Sequence, residues 1–129
     1  MKQEEIAVLM VAPGEVPQVV TLKTDLDSLQ KAVSIGAEYQ GLIEIISLGG
    51  GACIFCNEEG KLIGIEGNRR IGNDIIAGVF YVIGENKDGE LTSLNEKQIR
   101  YYDKRLRDME QFSKNEVEGS MFAVFYVIQ

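Results

Sequence analysis

Short apolar runs separated by glycine-bearing polar turns make up most of the chain, and in two places the apolar spacing changes from strand-like to helical. Residues 6–11 are almost wholly apolar and partly β-branched, which predicts a buried strand. Ala12-Pro13-Gly14-Glu15 supplies a turn, with proline setting φ at its second position and glycine accepting a positive φ at its third. Residues 16–22 return as a second strand, which Pro17 places at a sheet edge. Thr24 reads as a helix N-cap, and Asp25 and Asp27 put negative charge at the positive end of the helix dipole. Leu26, Leu29 and Val33 share one helical face, and Gly36 supplies the stop. Residues 42–48 predict a third strand, Gly49-Gly50-Gly51 a break, and residues 52–56 a fourth strand. Asn57-Glu58-Glu59-Gly60 carries asparagine and glycine at the first and fourth positions of a type I turn, leading into a fifth strand over residues 61–65. Residues 75–83 give the strongest strand signal. Ser93-Leu94-Asn95-Glu96 reads as a capping box, and Ile99, Tyr102, Leu106 and Met109 keep helical spacing, which carries a second helix to about Phe112. Residues 121–128 close the chain as a final strand.

The resulting order, β-β-α-β-β-β-β-α-β, predicts an α+β fold in which a mostly antiparallel sheet carries two helices packed on one face. At 129 residues, 45% hydrophobic and 26% charged, the chain suits a single domain over residues 1–129 with enough apolar surface to order itself. Val79-Phe80-Tyr81-Val82-Ile83 recurs letter for letter over residues 124–128, but the flanks do not match. The echo reads as two strands drawing on the same β-forming residues, not as a duplication.

No apolar run approaches the roughly 20 residues that span a bilayer. The first residues turn acidic at once and lack the apolar segment of a signal peptide. A cytoplasmic protein with no membrane partner is therefore expected. The net charge of −7 opposes direct binding to nucleic acid and suits a partner with a basic surface.

The chain contains no histidine, which removes the commonest general base and every histidine-based triad. Cys53 and Cys56 have the C-x-x-C spacing, but no second pair completes a four-ligand zinc cage within the chain. In a strand, residues i and i+3 point to opposite faces, so the two read as reduced structural cysteines. Gly49-Gly50-Gly51 leads into a strand, whereas a phosphate cradle feeds a helix N-terminus. Lys97, Arg100, Lys104 and Arg107 form a basic stripe opposite the apolar face of the second helix, which reads as a solvated surface. No cofactor and no metal site are expected. The candidate binding residues are Asn57, Glu58 and Glu59 at the turn, and Asn68, Arg69 and Arg70, whose paired guanidinium groups in a loop could grip a phosphate or carboxylate. The competing use of these arginines is to hold a neighbouring acid or a helix C-terminus.

The Asn57 to Gly64 turn and strand, the Asn68-Arg69 pair and the Asp74 to Gly78 segment together resemble a family of small proteins known as domain of unknown function 3846. The resemblance covers residues 6–100, so residues 113–129 look like a C-terminal extension, and Glu66-Gly67 stand where the family tends to carry a proline. It implies a phage, plasmid or other mobile-element setting and supplies no catalytic residue. The expectation is a non-enzymatic binding or regulatory protein that meets a protein partner, such as a host defence nuclease inhibited in anti-CRISPR or anti-restriction fashion. The alternative is a protein that sequesters a nucleotide signal, with Arg69 and Arg70 on its phosphates. The uncharged apolar end, residues 121–128, is expected to pair within the sheet or across a homodimer.

Overall fold

The computed structural model describes residues 5–60, 64–113 and 115–117. Strands β1 (Glu5–Val11) and β2 (Gln18–Lys23) form the first hairpin, and the helix α1 (Leu26–Val33) follows. Its N-cap is Asp25, one residue after the expected Thr24, because the Asp25 carboxylate accepts both the main-chain N–H and the hydroxyl of Ser28, each at 2.8 Å. Strands β3 (Ile43–Gly49) and β4 (Ala52–Asn57) pair across the triple-glycine turn, whose three residues all take positive φ. Next come β5 (Gly67–Ile71), β6 (Asp74–Ala77), β7 (Phe80–Glu85), the short β8 (Leu91–Thr92) and the helix α2 (Glu96–Leu106).

The main sheet has the order β2-β1-β7-β4-β3, with β8 beside β7, and all its pairings are antiparallel. Strands β5 and β6 form a separate hairpin. The fold is thus α+β around an antiparallel sheet. The two helices, however, lie on opposite faces, not on one. Leu29 and Val33 of α1 pack with Ile6, Val8, Cys53, Phe55, Tyr81 and Ile83. Leu106 of α2, with Ile99 and Tyr102, packs with Leu9, Val11, Ile54, Phe80 and Val82. Each central strand alternates between the two groups. Their continuous apolar runs are therefore the mark of a sheet covered on both sides, where a one-sided sheet would alternate apolar with polar.

Four other expectations change. The run 75–83 is two strands, because Gly78, at φ 79°, bends the chain out of the β5–β6 hairpin and into β7. A side chain there would also collide with Ile65. The strand expected over 61–65 does not appear at Gly64 and Ile65, while residues 61–63 lie outside the described residues; the strand comes later, at β5. The capping box at α2 is made by Asn95 and Gln98, while Ser93 accepts the N–H of Ala7 at 2.9 Å. That helix stops at Leu106, whose carbonyl is taken by Arg69, and Phe112 instead packs with Ile75, Ala77 and Val117. The expected final strand over 121–128, and any dimer contact through it, lie outside the described residues. Among the described residues, no helix is long and apolar enough to cross a membrane.

Candidate functional site

The turn that follows β4 sits between two depressions in the surface. Asn57 is nearly buried, at 6% exposure, and its Oδ1 accepts the N–H of Glu59 at 2.8 Å, while Gly60 N–H closes the turn on the Asn57 carbonyl at 3.3 Å. That bond fixes the orientation of the amide, so its Nδ2 is the donor left without a partner among the described residues. Gly41 lies directly over this nitrogen, and a Cβ at position 41 would stand 2.7 Å from it. Glu58 and Glu59 are both exposed and go separate ways. Glu59 joins Asn57, Tyr39, Gln40 and Ile65 around a cleft of about 350 Å³. Glu58, whose N–H bonds the Leu42 carbonyl at 2.9 Å, borders a larger groove.

This groove, of about 580 Å³, lies on the α1 face of the sheet. Its floor is Phe55, Leu29 and Ile43, its outer wall Ile45 and Leu42, its inner wall Leu26, and Glu58 and Glu85 stand at its rim. It exists because α1 is short. Eight residues of helix, ended by Ser34 and Gly36, cover the middle of the sheet but leave the β3 margin open. Leu26, Leu42 and Ile45 are consequently 65%, 58% and 59% exposed. A contiguous apolar patch with a polar rim is the surface signature of an interaction site. Among the described residues, no lysine or arginine lines it.

The other three expected binding residues are placed differently. Asn68, Arg69 and Arg70 lie in a strand, not in a loop. Asn68 is fully buried and donates from Nδ2 to the carbonyls of Val11 (2.8 Å) and Gly78 (2.9 Å). Arg69 is 3% exposed and gives its donors to the carbonyls of Leu106 (2.8 Å), Glu15 (2.6 Å) and Asn68 (3.2 Å) and to Asn68 Oδ1 (2.6 Å). Burial lowers its pKa from the usual arginine range. The carbonyl dipoles, one of them at the negative end of α2, stand in for a counter-ion. The pair therefore staples β5 to the end of β1, to the turn at Glu15 and to α2. Arg70 is half-exposed, 3.6 Å from Glu110 and 3.9 Å from Glu116, with its guanidinium over the Phe112 ring.

The thiols of Cys53 and Cys56 face opposite sides of the sheet, in separate apolar clusters. Burial, with Glu85 adding to it, pushes the Cys53 thiol up to about 11, so it stays protonated and unreactive at neutral pH. In the triple-glycine turn the carbonyls of Gly50 and Gly51 face Gln98 of α2, each at 3.2 Å. The basic stripe of α2 is solvated, with Arg100 near Glu96 and Arg107 on Asp103. The groove walls Leu26, Leu42 and Ile45 were not among the expected site residues. Leu26 belongs to the apolar stripe of α1, and its exposure depends on how far the helix reaches across the sheet.

Residues 5–107 match the family model described as Domain of unknown function (DUF3846). No curated protein and no solved structure matches the chain.

Proposed function

Since the chain belongs to the DUF3846 family, whose description carries no activity, we propose from the geometry of its open face that it is a non-enzymatic binding protein of mobile-element type. It docks on a basic protein partner through the groove between α1 and β3. In the setting that the family resemblance implies, that partner is a host defence nuclease, inhibited by contact. One observation carries the reading: Leu26, Leu42 and Ile45 stand more than half exposed around an apolar groove rimmed by Glu58 and Glu85. The net charge of −7 adds long-range attraction to a basic surface. The absence of histidine from the sequence leaves few groups suited to proton transfer. Sequestration of a nucleotide by Arg69 would require that side chain to leave its four oxygen partners.

The test is DNA cleavage by a panel of purified restriction and CRISPR nucleases with and without the protein at about 150 mM salt. At least one nuclease is expected to be inhibited, with relief at raised salt and in the double variant Ile45→Lys, Glu58→Lys. Cleavage untouched across the panel, or inhibition that survives the double variant, would refute the proposal.

A further inference from the structure

Strand β3 ends the main sheet, and its outer side has no neighbour among the described residues. The bond from Glu58 N–H to the Leu42 carbonyl sets the phase of its ladder with β4. In an antiparallel pair the hydrogen-bonded positions alternate, so Leu42, Glu44 and Ile46 turn their main-chain groups towards β4. Ile43, Ile45 and Ser47 turn theirs outward. The strand itself, Ile-Glu-Ile-Ile-Ser-Leu-Gly, has neither proline nor lysine. Its one irregularity lies at the far end, between Ser47 and Gly49. Proteins commonly guard an exposed edge with such residues. The opposite edge, β2, has Pro17 just before it and Lys23 at its end. The two edges of one sheet are thus treated differently, and the one without proline or lysine, whose bulge lies only at its far end, borders the open groove.

Resting on the docking function proposed above, we infer that the partner engages by adding a strand: an extended segment of alternating apolar and basic residues pairs antiparallel with β3. Residues opposite Ile43 and Ile45 point to the α1 side, where an apolar side chain extends the groove floor at Phe55. Residues between them point to the other side, next to Glu44, where a lysine or arginine answers its carboxylate. Charge selects this occupant over a second copy of the chain. A copy would bring another net −7 and set carboxylates against carboxylates along the same edge. Main-chain bonds supply affinity in this mode, and the alternating side chains supply choice of partner.

The probe is a fluorescein-labelled seven-residue peptide of alternating lysine and valine, titrated into the full chain and followed by anisotropy. A second peptide is identical except that its valines are N-methylated, which keeps charge and apolarity but removes the donors that face β3. The first peptide should bind, and the methylated one about tenfold more weakly or worse, since two or three hydrogen bonds are lost. Ile45→Lys should weaken binding similarly, with its folding checked by circular dichroism, whereas Val19→Lys on the β2 edge should leave it unchanged. No binding of the first peptide, equal binding of both peptides, or a free chain that sediments as a dimer would overturn strand addition. If nuclease inhibition still depends on Ile45 and Glu58 while the two peptides bind equally, docking stands and strand addition alone falls. If the peptides behave as expected while no nuclease is inhibited, the reverse holds.

Discussion

On the α2 side of the sheet, Leu9, Val11, Ile54, Phe80 and Val82 are roofed by an eleven-residue helix and by the β5–β6 hairpin. On the α1 side, an eight-residue helix covers Val8, Tyr81 and Ile83 but stops short of Ile45 and Leu42. The same sheet presents one closed face and one that is closed only in part. The closed face is further tied by Arg69, which joins hairpin and helix through a buried bond and reaches the turn through a partly buried one. Residues of similar apolar character are therefore placed differently: on one face they are packed into the fold, and on the other Leu26, Leu42 and Ile45 stand open.

Substitutions on the two faces should accordingly separate stability from binding. The largest loss is expected from Phe80→Ala, about 3–5 kcal/mol by urea denaturation, because a wholly buried ring leaves a cavity. Arg69→Ala should cost about 3 kcal/mol by stranding the oxygens of Leu106, Glu15 and Asn68, and Arg69→Lys should recover only part of it, since a single ammonium cannot replace the guanidinium fork. Two buried asparagines sharpen the contrast. Asn68→Ala removes two donors that satisfy buried carbonyls and should cost about 2–3 kcal/mol. Asn57→Ala loses one turn bond but also a donor with no partner among the described residues, and should stay within about 1 kcal/mol.

Raised pH probes the α1-side core through Cys53. Burial holds the folded thiol near 11, above its ordinary 9.0, so the unfolded chain releases that proton first. Stability from this group is complete below pH 9 and is lost as pH rises towards 11. The buried Tyr81 hydroxyl, whose pKa is also raised, adds in the same direction. Denaturation midpoints should fall over that range, and less steeply in Cys53→Ala. The smallest effect is expected at the open margin, where Ile45→Lys and Leu42→Lys should alter stability by no more than about 0.5 kcal/mol. A loss at Ile45 as large as that at Phe80 would erase the difference between the faces.

How much of this was legible in the chain differs from element to element. Strands β1 to β4 follow from short apolar runs bounded by residues with known turn chemistry. The family was legible from the Asn57 turn, Asn68-Arg69 and the segment before Gly78, and the match over residues 5–107 bears it out. Strand β5 was not legible, because Gly67-Asn68-Arg69-Arg70 is as polar as a loop. What buries it is bonding to Val11, Glu15 and Leu106, which are distant in sequence and invisible to any local window. The opposite placement of the helices was written in the unbroken apolar runs of β1, β4 and β7, which a one-sided sheet has no reason to keep. Of the six candidate site residues, Glu58 borders the groove, Asn57 and Glu59 line the neighbouring cleft, Asn68 and Arg69 are internal, and Arg70 lies beside Glu110 and Glu116. Turn chemistry finds exposed carboxylates readily, but it cannot tell a ligand-gripping arginine from a structural one.

Residue-resolved hydrogen exchange of the free, full chain along β3 tests most directly whether this margin is open. The amides of Ile43 and Ile45 should exchange at least about 100-fold faster than those of Glu44 and Ile46, which bond to β4. Equal protection at all four positions would mean that the edge is already occupied and would contradict the account.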